Sequence, residues 1–247
     1  MDQVRSLPRI FKKSTKKLTD GALNNCSGAW NEYIAASYLT YFSLKFNKSS
    51  ESKIAIITDL PATVVKNGST FLKLFRDEEF EPGQSLHPLK EIKKQIFFPS
   101  PDLIVLSLNK SFYKLHNIVD LLDQQARTPY QSNLYPELEG QITASNILSV
   151  ASLKTSYRPD RRYQPLFETA MIKAITYGLE QNWKYYMIAS QVSTSDEILF
   201  NNLISPHEIV MKYLEVKNVS TRFVDQTYIY KDKDSLSHIF RELTAQN

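Results

Sequence analysis

The 247-residue chain is predicted to adopt an α/β fold in which helices flank a central mixed β-sheet. Apolar, β-branched runs typical of buried strands recur along the chain, and segments with helical periodicity precede and separate them. The sequence contains no internal repeat or low-complexity linker, and its 42% hydrophobic residues are enough for one sizeable core. We therefore expect a single domain over residues 1–247.

The first half of the chain is predicted to form one long helix and two strands. Apolar residues recur at helical spacing over residues 28–45, whereas residues 53–60 are a β-branched run that indicates a strand or a buried segment. Residues 66–95 are polar and are expected to mix short helices with loops. Leu103–Leu108 has the continuous apolarity of a strand buried on both faces, and two nearby prolines block regular structure before it. Asp102 is therefore expected at the start of that strand.

The second half is predicted to continue with helices and strands. The stretch PLFETAMIKAITYGLEQN begins at Pro165 and has the pattern of an amphipathic helix that Gly178 or Asn182 could close. In chain order, the other predicted elements are a helix over 111–126, a loop over 128–140, a strand over 142–156, a strand over 183–192, a loop over 191–196, a strand over 227–230 and a turn over 231–234.

Composition excludes several kinds of site. Cys26 is the only cysteine, so the chain can form neither an internal disulfide nor a multi-cysteine zinc site, and the four histidines lack metal-ligand spacing. Any metal must therefore be held by oxygen. The N-terminus has no secretory signal pattern, and no apolar run reaches the roughly 18 residues of a membrane span. We expect a cytoplasmic protein that is not associated with a membrane.

The charge distribution is compatible with a polyanionic partner. The formal net charge is +4, and residues 1–20 are expected to form a basic N-terminal arm. Such an arm could contact phosphates, and a solvated terminal tail is the equally good alternative. The basic residues of this arm are Arg5, Arg9, Lys12, Lys13, Lys16 and Lys17.

Charged side chains at the ends of the two central strands predict a catalytic site. Asp102 begins one strand, while Ser152 and Lys154 stand on alternate positions near the end of the other and so point to the same side. If the strands are neighbours, these side chains meet at one edge of the sheet, and Glu168 can join them from the following helix. Two carboxylates offer oxygen ligands to Mg²⁺, and a lysine stabilises charge during phosphodiester hydrolysis. The alternative is a strand-capping aspartate and a snorkelling lysine.

The residues that follow Lys154 resemble a known signature. KTSYRPDR and the later glutamate resemble the K-x-S/T-x-R-x-D-R…E motif of the CCGG-family type II restriction endonucleases, a branch of the PD-(D/E)XK nucleases. Pro101-Asp102 supplies the PD of that superfamily, and Ser152 stands where other members carry an acid. Pro159 departs from the pattern because it removes one backbone N–H. The motif positions are Lys154, Ser156, Arg158, Asp160, Arg161 and Glu168.

The resemblance implies a fold, an activity and further residues. It implies a restriction-endonuclease-like core over about residues 28–200, and Mg²⁺-dependent cleavage of double-stranded DNA at a palindromic site with a CCGG core, leaving 5′ overhangs. The family also uses a glutamate on an N-terminal helix, for which Glu32 is the candidate; a solvent-facing Glu32 is the alternative. A palindromic site implies a homodimer on DNA or further association into a tetramer, and a restriction system implies a cognate DNA methyltransferase.

The charged stretch after Lys154 is suited to reading base pairs. The guanidinium groups of Arg158 and Arg161 can each donate to O6 and N7 of guanine, and Asp160 can accept from the N4 amino group of cytosine. The alternative is a solvated loop with weak Arg–Asp pairs. Two other functions stay open at this point, namely a structure-specific or repair nuclease of the same superfamily and a DNA-binding module without catalysis.

Overall fold

The computed structural model describes residues 20–62, 68–96, 100–156, 162–179, 181, 183–204, 206–213 and 222–245. The basic residues predicted to form an arm lie outside these ranges. The strands are β1 (Lys53–Ile57), β2 (Leu103–Leu108), β3 (Ile147–Ser156), β4 (Lys184–Gln191) and β5 (Gln226–Ile229). The helices are α1 (Asp20–Asn47), α2 (Lys110–Leu115), α3 (Ile118–Arg127), α4 (Leu134–Leu138), α5 (Tyr163–Gly178), α6 (Thr194–Asn202), α7 (Pro206–Tyr213) and α8 (Lys233–Thr244).

The strands form one mixed sheet in the order β1-β2-β3-β4-β5. The pairs β1–β2 and β2–β3 are antiparallel, and the pairs β3–β4 and β4–β5 are parallel. Leu103 at the start of β2 lies opposite Ala151, so the start of β2 is beside the C-terminal half of β3. The predicted α/β fold with a central mixed sheet is confirmed, and this pairing determines where the predicted catalytic side chains meet.

Both faces of the sheet are covered, as the continuous apolarity of its central strands predicts. Helices α1 and α8 pack on one face, while α5, α3 and the segment that precedes β2 pack on the other. Adjacent residues of β4 divide between the two cores, since Tyr185 belongs to the α5 face and Tyr186 to the α1 face. Because strand side chains alternate, the α5 face is also the face of Ser152 and Lys154. Helix α5 therefore lies on the face of the sheet toward which Ser152 and Lys154 point.

An aromatic cluster attaches the segment before β2 to the sheet. Trp183, just before β4, is fully buried and stacks on Phe75 with ring centroids 5.9 Å apart and an interplanar angle of 10°. Its indole N–H donates to the carbonyl oxygen of Ala144 at 2.9 Å, so the one polar atom of the ring is satisfied.

The predicted mixture of short helices and loops before β2 takes the form of short 3₁₀ turns within the described part of that region.

Several predicted boundaries were wrong. The helix predicted over 111–126 is two helices, α2 and α3, because Asn117 adopts a left-handed conformation with φ of 49°. The region 128–140 contains the short helix α4 instead of being entirely loop. The strand predicted over 142–156 begins only at Ile147, after a 3₁₀ turn with a capping box between Thr143 and Asn146.

Caps account for two further differences. The loop predicted over 191–196 ends early, because the Ser193 side chain accepts from the backbone N–H of Asp196 and starts α6. Asp232 caps α8 in the same way, which places a helix start inside the turn predicted over 231–234. Strand β1 stops at Ile57, three residues short of the prediction, and α1 begins eight residues before the predicted helix.

Among the described residues, no helix is both long and apolar enough to cross a membrane.

Candidate active site

Asp102 lies between β2 and the end of β3 and is the centre of a polar cluster. Its Oδ2 accepts from the backbone N–H of Leu153 at 2.8 Å and from the Ser152 hydroxyl at 3.3 Å. The ammonium group of Lys154 donates to both carboxylate oxygens, at 2.9 Å to Oδ1 and 2.7 Å to Oδ2. The antiparallel pairing of β2 with β3 thus brings Asp102 together with three consecutive residues that lie about fifty positions later in sequence.

The Lys154–Asp102 pair is largely removed from solvent. The exposed fractions of the two side chains are 18% for Lys154 and 31% for Asp102. Burial by itself would lower the pKa of Lys154, but the carboxylate of Asp102, followed by those of Glu32 and Glu168, outweighs burial and raises this pKa above its ordinary value. Lys154 is therefore a cation at neutral pH.

Glu168 lies on α5, in its second turn, and faces the sheet. Only 2% of the residue is exposed, and the Tyr185 hydroxyl donates to its Oε1 at 2.9 Å. Burial and the nearby negative charge of Asp102 raise the pKa of Glu168 to about 8, against smaller opposing effects of Tyr185 and Lys154. The carboxyl groups of Glu168 and Asp102 are therefore close enough to repel each other in the absence of a cation.

Glu32 approaches the same site from α1. The Thr155 hydroxyl at the end of β3 donates to the carbonyl oxygen of Gly28 at 3.3 Å, which holds this part of α1 against the strand that carries Lys154. Glu32 is half-buried, and its charge contributes to the raised pKa of Lys154. This position differs from the solvent-facing alternative, while a catalytic role for Glu32 stays a prediction.

The predicted base-reading residues Arg158, Asp160 and Arg161 lie outside the described residues, as does Pro159. The next described residue, Arg162, precedes α5 and forms an ion pair with Asp196 of α6, with 2.5 Å between Arg162 Nε and Asp196 Oδ1. By its angles this contact is an ion pair and not a hydrogen bond. This ion pair links the start of α5 to the capped start of α6.

The side chains present fit a divalent cation. Glu168 is almost fully buried, and the negative charge of Asp102 disfavours its ionised form. A hard divalent cation bound by both carboxylates would relieve this repulsion. In the part of the chain that the structure describes, no three His, Cys, Asp or Glu residues gather into a metal-binding group. Two protein carboxylates are nevertheless sufficient for Mg²⁺, because this ion keeps several waters and substrate phosphate oxygens as ligands.

Sequence reasoning missed the residues that support Glu168. Tyr185 is fully buried in β4, and its hydroxyl donates to Glu168. Its backbone N–H donates to the carboxylate of Asp225. Lys173 of α5 pairs with the same Asp225 carboxylate. A tyrosine in an apolar strand has the pattern of an ordinary core residue, so the sequence carries no signal that distinguishes this one.

Comparison with known proteins identifies the family of this chain. Residues 3–245 match the model of the Cfr10I/Bse634I restriction endonuclease family. The type II restriction enzyme Cfr10I of Citrobacter freundii is 24% identical over 239 residues, which cover 90% of this chain and 80% of that enzyme.

Solved structures show the same fold. The structure of the type IIF restriction endonuclease Bse634I with cognate DNA superposes with a TM-score of 0.70 at 24% identity, covering 99% of this chain and 86% of that one. A second structure of Bse634I restriction endonuclease gives a TM-score of 0.69 at 22% identity, covering 97% and 82%. The restriction-endonuclease-like core expected from the resemblance is therefore confirmed. The chain belongs to the Cfr10I/Bse634I family and is a type II restriction endonuclease, a site-specific deoxyribonuclease.

Proposed function

We propose that this enzyme cleaves both strands of DNA at a palindromic site with a CCGG core, in a Mg²⁺-dependent reaction that leaves 5′ overhangs. The observation that carries the proposal is the Asp102 carboxylate, which is held by Lys154 and by the backbone of β3 beside the buried Glu168. This arrangement places two carboxylates that can bind a metal ion beside the ammonium group of Lys154, at one edge of the sheet. The resemblance of the segment after Lys154 to the CCGG-family motif supplies the proposed sequence specificity.

In this proposal Asp102 and Glu168 hold the metal ion, and Lys154 contacts the scissile phosphate. A Mg²⁺ ion held by these two carboxylates would supply Lewis acidity for phosphodiester hydrolysis. Lys154 acts as a positive charge and not as a proton acceptor, because the surrounding carboxylates raise its pKa. Its ammonium group can therefore stabilise the negative charge that develops on the phosphate in the transition state.

Ser152 and Glu32 support this centre. The buried Ser152 hydroxyl donates to Asp102 and so helps to orient the carboxylate whose other contacts are Lys154 and Leu153. Glu32 of α1 is near enough for its charge to contribute to the raised pKa of Lys154. We assign Glu32 the role of orienting the Lys154 ammonium or a water at the site.

Base recognition is assigned to the segment that connects β3 to α5. Arg158 and Arg161 would donate to guanine O6 and N7, and Asp160 would accept from cytosine N4. Lys154 lies two residues before the end of β3, so only a short length of chain separates the proposed phosphate contact from the proposed base contacts. A cut at a fixed distance from the recognised bases follows from that short connection.

The palindromic site requires two symmetry-related copies of the enzyme. We propose a single-domain chain of residues 1–247 that works as a homodimer on DNA, with a tetramer as a further association, in the cytoplasm of a prokaryote. Its proposed partner in the cell is a cognate DNA methyltransferase that protects the same sequence. The size of the assembly on a DNA duplex carrying the site is measurable by analytical ultracentrifugation.

A digest of phage genomic DNA with the full-length enzyme and Mg²⁺ tests the proposal directly. Sequencing of the fragment ends is expected to give one shared CCGG core with 5′ extensions at every cut. Ends without a common sequence would instead indicate a structure-specific or repair nuclease. Omission of the divalent metal is expected to abolish all cutting, and cutting in excess chelator would contradict the metal dependence.

The recognition assignment has a separate test. Arg158→Ala and Asp160→Ala are each expected to reduce discrimination between the cognate site and single-base variants by about 1–3 kcal/mol per lost base contact. The exposed Lys90→Ala is a suitable control, because its ammonium group pairs with Glu81 far along the chain from the site. If the two variants weaken binding equally for all sequences, the residues contact phosphates and not bases.

A further inference from the structure

Tyr185 connects the proposed metal site to the interior of the sheet. Its ring is fully buried on the α5 face, and its hydroxyl donates to Oε1 of Glu168 at 2.9 Å. A phenol carries a single proton to donate, and that proton is directed at one carboxyl oxygen of Glu168. The contact therefore fixes which oxygen of Glu168 faces β4.

The backbone of Tyr185 is itself held in place. Its N–H donates to Asp225 Oδ2 at 2.7 Å, and its carbonyl oxygen accepts from the backbone N–H of Asp225 at 2.9 Å. Asp225 also binds the ammonium group of Lys173, which lies on α5 five residues after Glu168. Helix α5 is thus attached to β4 at two points, once through Glu168 and once through Lys173.

We infer that Tyr185 is a positioning residue that holds the Glu168 carboxyl group in the orientation required to bind the catalytic metal ion. The inference rests on the proposed function, because it takes Glu168 as a metal ligand. Without the phenol, Oε1 loses its fixed donor inside a nearly dry environment, and the carboxyl group is free to rotate toward Lys154 and Asp102. Loss of a hydrogen bond that orients a metal ligand typically reduces metal affinity or activity about 10- to 100-fold, and we expect a reduction of this size in metal affinity when the Tyr185 hydroxyl is removed.

The test compares Tyr185→Phe with Tyr135→Phe in the full-length protein. Tyr135 is also a buried tyrosine, and its hydroxyl donates to the carbonyl oxygen of Thr70 at 3.1 Å, so each change removes one buried hydrogen bond. Binding of Mn²⁺ alone is measured from the electron paramagnetic resonance signal of the free ion. We expect about 10- to 100-fold weaker Mn²⁺ binding for Tyr185→Phe and unchanged binding for Tyr135→Phe.

A second comparison shows whether Tyr185 acts through Glu168. In a Glu168→Gln background, Tyr185→Phe is expected to cause no further loss of Mn²⁺ affinity, because the group that it positions has been removed. Replacement of Tyr185 by p-aminophenylalanine keeps a donor and the ring volume, and it is expected to restore binding relative to the phenylalanine. This variant also keeps the inference testable if Tyr185→Phe does not fold.

The outcomes separate this inference from the proposed function. Equal Mn²⁺ binding by the wild type and Tyr185→Phe, equal losses in Tyr185→Phe and Tyr135→Phe, or a wild type that binds no Mn²⁺ would overturn the positioning role. A wild type that binds Mn²⁺ with the expected Tyr185 dependence but cleaves no DNA supports the positioning role and contradicts the proposed function. Where cleavage occurs, Tyr185→Phe is expected to need about 10- to 100-fold more metal for half-maximal rate while its DNA binding without metal stays unchanged.

Discussion

The buried Glu168 is expected to make the stability of the metal-free enzyme depend on pH. Its pKa rises from 4.5 to about 8 on folding, first because of burial and then because of the charge of Asp102. Between these two values the native protein holds a proton that the unfolded chain has already released, so the free energy of unfolding falls as pH rises. The stabilising contribution is fully present below the unfolded pKa of 4.5 and is lost as pH passes about 8.

Glu168→Gln removes this contribution with little change of volume. Each tenfold change in an acid constant corresponds to about 1.4 kcal/mol, so a pKa that rises from 4.5 to about 8 gives a total effect on the order of 5 kcal/mol, of which about 4 kcal/mol falls between about pH 5 and about pH 9. The glutamine keeps an oxygen that can accept from the Tyr185 hydroxyl, and it carries no charge at any pH. We therefore expect the variant to gain stability over the wild type by this amount as pH increases from about 5 to about 9.

Urea unfolding of both proteins across this range, in the presence of a chelator, provides the measurement. The difference between the two proteins isolates Glu168, because every other ionisable side chain is present in both. A difference that is constant with pH would refute the reasoning, since it would mean that Glu168 has the same pKa in the folded and the unfolded chain. Saturating Mn²⁺ is expected to reduce the pH dependence of the wild type, because a bound cation favours the ionised carboxylate.

Three further changes have expected outcomes. Asp102→Ala removes the acceptor of the Lys154 ammonium group and of a backbone N–H, so DNA cleavage should be lost while specific binding in Ca²⁺ persists; cleavage at the wild-type rate would contradict its catalytic role. Trp183→Ala should lower the free energy of unfolding by about 3–5 kcal/mol, against less than about 0.5 kcal/mol for Trp30→Ala, because Trp183 is buried and Trp30 is 66% exposed. Gln125→Leu should cost about 1–3 kcal/mol in urea unfolding, since the buried amide of Gln125 donates to the Ile56 carbonyl oxygen at 2.6 Å and that acceptor would lose its partner.

Local features of the sequence were enough to identify the central elements. Strand β2 occupies Leu103–Leu108 as predicted, because a proline ends regular structure just before a run that is apolar at almost every position. Helix α5 ends at Gly178, one of the two predicted closing positions. Alternation along β3 correctly placed Ser152 and Lys154 on one side, since that periodicity is a property of any extended strand.

The boundaries that failed depended on single residues whose conformation the periodicity does not reveal. The break between α2 and α3 occurs at Asn117, where a left-handed backbone interrupts an otherwise continuous helical pattern. The start of α6 depends on one serine hydroxyl that accepts from a backbone N–H three residues later. A cap contributes only about 1 kcal/mol, which is too little to stand out in an apolar pattern.

The sequence by itself indicated which side chains could carry the chemistry, because Lys154 and Glu168 of the motif belong to one strand and to the helix that follows it in sequence. Only the tertiary structure decided that Asp102 meets Lys154, because that contact depends on how β2 pairs with β3, and strand pairing between residues some fifty positions apart leaves no trace in local periodicity. The same holds for the contact of Tyr185 with Glu168. Its physical cause is the packing of α5 across the sheet, which converts an ordinary buried tyrosine into a partner of the site.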